Sequence, residues 1–154
     1  MDKILFVDQT IRDAQQSLWG NMMRTEHIVP IAETMDAVGY RAIGTVGSQA
    51  FTVAVRNLGE DPWGRIRLLS GLMPVTPLRG SYQTASLSSF DLSTPRDIIS
   101  LWIKRSVANG IRSFWICDYQ ENMERFRYFA QIAKAEGAEI VTSLMYTRSP
   151  LHSD

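Results

Sequence analysis

The chain reads as an α/β protein built on parallel strands. Short β-branched and aromatic runs alternate with longer stretches of helical period, and the β/α unit recurs at intervals of roughly 30 to 40 residues. Several of the strand-like runs are nearly continuously apolar, as strands buried on both faces are. No Ser/Gly-rich linker, charge run or low-complexity segment divides the 154 residues, so one domain is expected. Such a repeat suits either a doubly wound sheet or part of a (β/α)8 barrel, and periodicity alone does not choose between them.

Taken in order, the first strand is predicted over Ile4 to Asp8. A helix follows with Thr25 as N-cap, Ile28, Ile31, Ala32, Met35 and Val38 at helical spacing, and Gly39 as a left-handed stop. Arg41 to Thr45 and Thr76 to Gly80 are the second and third strands. The Ser-rich stretch from Ser86 to Thr94 is a long βα loop, and Thr94-Pro95 opens the next helix, a capping residue before a proline. That helix carries Ile98, Ile99, Trp102 and Val107 and closes at Asn109-Gly110. Arg112 to Cys117 is the fourth strand; Met123, Phe126, Ala130 and Ala133 form the core stripe of a helix ending at Gly137, and Ala138 to Tyr146 is the fifth strand.

Composition narrows the function classes. Sixteen basic and sixteen acidic residues balance, which removes the electrostatic footprint of a nucleic-acid binder. No apolar run approaches the roughly 20 residues of a membrane span, and Met1-Asp2-Lys3 before Ile4 is not a signal-peptide opening, so a cytoplasmic location is expected. A lone Cys117 makes neither an internal disulfide nor a cysteine-based zinc site.

Both architectures bind ligands at the carboxyl ends of their parallel strands. The first predicted strand runs into Asp8-Gln9-Thr10-Ile11-Arg12-Asp13-Ala14-Gln15-Gln16-Ser17, an unusually dense set of carboxylates, amides and a guanidinium. Arg79-Gly80, Asp118, and Tyr146-Thr147 ahead of Ser149-Pro150 and His152 close the third, fourth and fifth. Asp13 is a hard oxygen donor suited to a divalent metal, and Arg12 beside it could stabilise an enolate or carboxylate. An Arg-Asp pair closing a turn is the equally open alternative.

That first loop, with Met23-Arg24-Thr25-Glu26 and Pro30-Ile31-Ala32-Glu33, resembles the opening of the carboxyltransferase domain shared by pyruvate carboxylase, the oxaloacetate decarboxylase alpha subunit and the transcarboxylase 5S subunit. Leu58-Gly59-Glu60-Asp61-Pro62-Trp63 with Arg65 and Arg67, Pro77-Leu78-Arg79-Gly80, Ala108-Asn109-Gly110-Ile111, and Tyr146-Thr147-Arg148-Ser149-Pro150-Leu151-His152 follow in the family's order. The resemblance covers essentially the whole chain. It implies the first five strands of a TIM-type (β/α)8 barrel, incomplete here, with residues 1-154 as the N-terminal part of a carboxyltransferase-like barrel domain. It further implies a metal-dependent site in which carboxybiotin, on a separate carrier, gives its carboxyl group to a pyruvate enolate, or the reverse. By position, Asp13 looks like the metal ligand, Arg12 and Gln16 like catalytic substrate and enolate contacts, and Arg79 like the clamp for the substrate carboxylate. The metal implied is zinc, cobalt or manganese.

The departures fall in the same places. Where the family has Glu-Met-Trp-Gly-Gly-Ala-Thr, this chain has Gly44-Thr45-Val46-Gly47-Ser48-Gln49-Ala50. The family's histidine is Gln15, its strand-four arginine is Trp115, and its tyrosine seven residues past the Arg79 position is Ser86. A complete barrel needs roughly 250 residues, so the family's carboxylated lysine and His-x-His pair fall beyond Asp154. His27 and His152 are poor replacements, and Cys117 at the end of the fourth strand is either a soft ligand or, more in keeping with its type, a buried free cysteine. Neither metal nor biotin is therefore expected to bind tightly to this chain alone, and a second polypeptide completing the barrel, a biotin carboxyl carrier and a small keto-acid or acyl substrate are the expected partners. A lyase or aldolase of the related superfamily, against which the Gly-Glu-Asp-Pro-Trp run argues, and a non-catalytic assembly subunit are the alternatives.

Overall fold

The computed structural model describes residues 4–87 and 93–146. The Thr147 to His152 motif and the middle of the Ser86 to Thr94 loop lie outside the described residues. Five parallel strands, β1 (Val7–Asp8), β2 (Ala42–Gly47), β3 (Leu78–Gln83), β4 (Ile111–Cys117) and β5 (Glu139–Thr142), pair strictly in chain order. A doubly wound sheet reverses its strand order at a switch point. This one never does, and it follows the course of a (β/α)8 barrel through its first five strands.

The connections start with a π-helical turn over Thr10–Ala14 that runs directly into α1 (Gln15–Trp19), followed by α2 (Thr25–Ala37). After β2 come α3 (Ser48–Val53), a second π-helical turn over Ala54–Leu58, and α4 (Pro62–Leu72). Helices α5 (Arg96–Ala108) and α6 (Met123–Ala135) precede β4 and β5. Strand side chains alternate faces. Phe114 stacks edge-on against Phe129 of α6 at 5.6 Å, so the even residues of β4 face the helices and Ser113, Trp115 and Cys117 face the concave side. Ile28 and Ala32 of α2, Ile66 and Leu69 of α4, Ile103 of α5 and Phe129 of α6 fill the layer between helices and sheet. Within it, Phe51, Trp63 and Trp102 form an aromatic knot with centroids 4.5 to 5.1 Å apart, and Tyr82 approaches Trp102 at 6.1 Å.

Two signature runs turn out to be one joint. Asp61 caps α4 by accepting the Trp63 N–H at 2.9 Å, with Pro62 at the first helical position. Its neighbour Glu60 reaches across to α2, accepting the Thr25 N–H at 3.2 Å, the Thr25 hydroxyl, and Arg65 at 2.6 Å. Burial alone would raise the Glu60 pKa, but the bonds from Arg65 and Thr25 and the charge of Arg65 outweigh it and hold the carboxyl below its ordinary value.

Several boundaries differ from expectation. Helix α2 begins at Thr25 itself, with Arg24 as the flanking residue whose N–H is accepted by His27 Nδ1 at 3.1 Å; the Thr25 hydroxyl goes to Glu60 instead. The Thr94 hydroxyl accepts from the Leu87 N–H, so it braces the loop while α5 starts one residue beyond Pro95. Strand β5 stops at Thr142 because the chain then leaves the sheet, and the Met145 N–H is taken by Glu121 at 2.9 Å. The difference that matters most is in β3. It does not stop at Gly80 but continues through Ser81, Tyr82 and Gln83, each in register with β4.

Among the described residues, β1 and β5 each pair on one side only. Ile4, Leu5 and Phe6 are exposed beside the first edge, and Leu144, Met145 and Tyr146 past the second. Unpaired edges flanked by apolar side chains are surfaces suited to further strands.

Candidate functional site

The strand ends and the loops after them enclose an open cleft of about 330 Å³ on the concave side. Its first wall is the π-helical turn after β1. Asp8 accepts the Thr10 N–H at 2.9 Å and the Thr10 hydroxyl at 3.0 Å, which turns the chain at the end of β1; the Gln9 carbonyl then accepts the N–H groups of Asp13 at 2.8 Å and Ala14 at 3.1 Å. This tight wrapping presents Arg12, Asp13 and Gln16 to the cleft together. Gln15 points the other way and is buried, donating to Asn21 at 3.2 Å and accepting from the Met23 N–H at 3.4 Å, so it ties the loop down.

Two glycines of β2 lie against that loop. A Cβ on Gly47 would meet Arg12 Nε at 3.5 Å, and one on Gly44 would collide with the Gln9 amide. The absence of a side chain at Gly44 is thus what admits the Gln9 amide over the strand, while Arg12 lies at ordinary contact distance from Gly47. Gln9 Oε1 and Arg12 Nε are both buried without a hydrogen-bond partner, polar atoms held ready on the concave side.

The rest of the lining is neutral: Gln49 after β2, Ser81 and Gln83 of β3, Trp115 and Cys117 of β4, and Ser143 past β5. Sequence reasoning missed Ser81 and Gln83 because it ended β3 at Gly80; their alternation with Arg79 was the available signal. Arg12 and Asp13 form an ion pair with each other, the turn-closing pair left open by the sequence. Burial pushes the Cys117 thiol up, with the Arg12 charge opposing and Asp118 adding to the rise. Asp118, at the end of β4, is buried; burial would raise its pKa, but Thr84, the Gln120 and Asn122 N–H groups and Arg125 outweigh this and keep it ionised.

Arg79 is not part of the cleft lining. As the second residue of β3 it sits at the base of the concave face, buried, donating from Nε to Ser113 Oγ at 2.8 Å and from Nη2 to Glu139 at 3.2 Å. Two residues of strand, about 7 Å, separate its Cα from that of Ser81 above. The structure therefore brings three of the four candidate residues together and puts the fourth one layer beneath them.

Among the described residues, no three His, Cys, Asp or Glu side chains converge. Among the described residues, Asp13 is the one carboxylate lining the cleft, more than half exposed and paired with Arg12. A single carboxylate falls short of the three or four protein donors of a transition-metal site, so the residues present do not by themselves fit one. No helix among the described residues is long and apolar enough to cross a membrane.

No family model matches the chain. It is 37% identical over 150 residues to a pyruvate carboxylase subunit of Methanocaldococcus jannaschii, covering 97% of this chain and 26% of that protein. It is 31% identical over 151 residues to the 2-oxoglutarate carboxylase large subunit of Hydrogenobacter thermophilus, covering 98% of this chain and 23% of that protein. The carboxyltransferase domain of Rhizobium etli pyruvate carboxylase, solved with pyruvate, superposes with a TM-score of 0.86 at 26% identity, over 99% of this chain and 26% of that one. The chain spans about a quarter of the length of the relatives it matches. With five parallel strands in barrel order and the Arg12, Asp13 and Gln16 loop at their carboxyl ends, the chain is similar over nearly its whole length to the N-terminal portion of the carboxyltransferase domain of pyruvate carboxylase and to the methylmalonyl-CoA carboxyltransferase 5S subunit.

Proposed function

We propose that this chain supplies the substrate-facing N-terminal part of a biotin-dependent carboxyltransferase site acting on a small keto acid, and that the barrel is completed by three further β/α units. The observation that carries the reading is the convergence of Arg12, Asp13 and Gln16 on one cleft at the strand ends, in a chain whose relatives are named as pyruvate carboxylase and 2-oxoglutarate carboxylase subunits. The open edges of β1 and β5 are where those further units would pair, whether they come from a second polypeptide or from further sequence of the same chain.

In this reading Arg12 places its guanidinium where negative charge grows as the keto acid becomes its enolate, and the Gln16 amide donates a further hydrogen bond to that oxygen. Arg79 orients the substrate carboxylate from below, which requires its guanidinium to turn up from Ser113 and Glu139. Biotin on a separate carrier supplies the carboxyl group that is exchanged. Asp13 is this chain's candidate donor to a divalent metal whose other ligands come from outside the described residues.

The test is the protein purified from its own source, its native mass measured and its polypeptides identified, then assayed for oxaloacetate decarboxylation with and without avidin. Avidin-sensitive activity that Asp13→Ala removes while the assembly stays intact is the expected result. Full activity in Asp13→Ala refutes the site. A protein that occurs only as copies of this chain, without activity, favours the assembly-subunit reading, and keto-acid aldol cleavage in place of carboxyl exchange favours the lyase reading.

A further inference from the structure

At the base of the concave face, three successive strands and the residue leading into a fourth contribute polar side chains to a single network. Arg41 stands immediately before β2, Arg79 on β3, Ser113 on β4 and Glu139 on β5. Glu139 divides its carboxylate: Oε1 is paired with Arg41, while Oε2 accepts from Ser113 Oγ at 2.8 Å and Arg79 at 3.2 Å. Two guanidinium groups thus share one carboxylate, so the cluster carries one positive charge in excess. The Arg79 contact is the longer of the two bonds to Oε2.

A keto-acid substrate presents the same chemical group as Glu139. Arg79 lies on the same face as Ser81 and Gln83, which line the cleft directly above it, within the reach of an extended arginine side chain. Exchange of one carboxylate for another on the same guanidinium costs little in itself, so occupancy is decided by how firmly the resident carboxylate holds. We infer that Glu139 is a positioning residue that competes with the substrate carboxylate for Arg79, and so sets how tightly the cleft holds a keto acid. Arg41 tunes this competition by drawing the Glu139 carboxylate away from Arg79. The inference rests on the proposed role of Arg79 as the carboxylate clamp.

Oxamate, a non-reacting keto-acid mimic, is the probe, titrated by calorimetry into the full protein as purified, with circular dichroism to show that each variant is folded. Glu139→Gln is expected to tighten oxamate binding about tenfold, the worth of one charge-assisted hydrogen bond. Arg41→Met leaves Glu139 undivided on Arg79 and is expected to weaken binding several-fold, although Arg41 does not line the cleft. The gain in Glu139→Gln should vanish in the Glu139→Gln/Arg79→Met double variant. If Arg79→Met alone leaves oxamate affinity unchanged, the clamp role fails. If Arg79→Met weakens binding but Glu139→Gln does not tighten it, the clamp stands and the competition is refuted. Should Glu139→Gln not fold, Arg41→Met decides: unchanged or tighter binding overturns the inference.

Discussion

Replacing Glu60 with alanine should unpin the joint between α2 and α4 at a cost of about 3 kcal/mol. The magnitude follows from what the carboxylate holds. It accepts the Thr25 N–H at the first turn of α2, the Thr25 hydroxyl, and the Arg65 guanidinium at 2.6 Å. Arg65 is only 8% exposed, and among the described residues its remaining side-chain acceptor without Glu60 is the Thr25 hydroxyl at 2.9 Å. Removing one partner of a buried pair costs roughly 3–5 kcal/mol, and the 20% exposure of Glu60 places this pair at the low end. In a domain of this size such a loss lowers Tm by about 6–12 °C. Denaturant unfolding of the wild type, Glu60→Ala, Arg65→Met and the double variant measures it, and the double variant should recover a large share of the loss because no unpaired charge stays buried. The same pair sets a pH dependence. The folded pKa of Glu60 lies below its ordinary value of 4.5, so its contribution is complete above that value and fades as pH falls through the folded one. Glu60→Gln should flatten that acid limb. A loss below about 1 kcal/mol in Glu60→Ala, or additive single losses in the double variant, refutes the reasoning.

Three further outcomes follow from single residues. Asp61→Ala removes the cap of α4 and should cost about 1 kcal/mol in the same unfolding assay. Gly110→Ala should cost about 2 kcal/mol or more, since Gly110 has φ +121° and a Cβ there would lie 2.5 Å from the Ser70 side chain; a neutral Gly110→Ala contradicts that packing. Cys117 should react with iodoacetamide more slowly than free cysteine at neutral pH, because burial keeps its thiol protonated, and equal rates would show the thiol to be open to solvent.

The parallel β/α course was legible because buried strands and amphipathic helices write different periods into the chain. Its barrel rather than doubly wound form was not legible from period, since both use the same unit; it required the resemblance, and the strand order bears it out. The loop carrying Arg12, Asp13 and Gln16 was visible as a dense polar run after an apolar one. What was hidden is the end of β3. Gly80 looks like a stop, yet it lies within the strand, packed against the Tyr82 ring. Ending the strand there moved Arg79 to the rim, whereas it belongs to the base. The Glu60 to Thr25 joint was equally hidden, because it links residues 35 apart, and nothing in either run marks the other as its partner.

The aromatic knot gives the cleft an optical readout. Helix α3 begins with Ser48 and Gln49, which line the cleft, and carries Phe51 two residues further on, whose ring contacts Trp63 at 4.7 Å and Trp102 at 4.5 Å. The two indoles lie 5.1 Å apart, close enough for their excited states to couple. Any ligand that shifts α3 also changes the surroundings of that indole pair, so near-ultraviolet circular dichroism reports on the mouth of the barrel without a label.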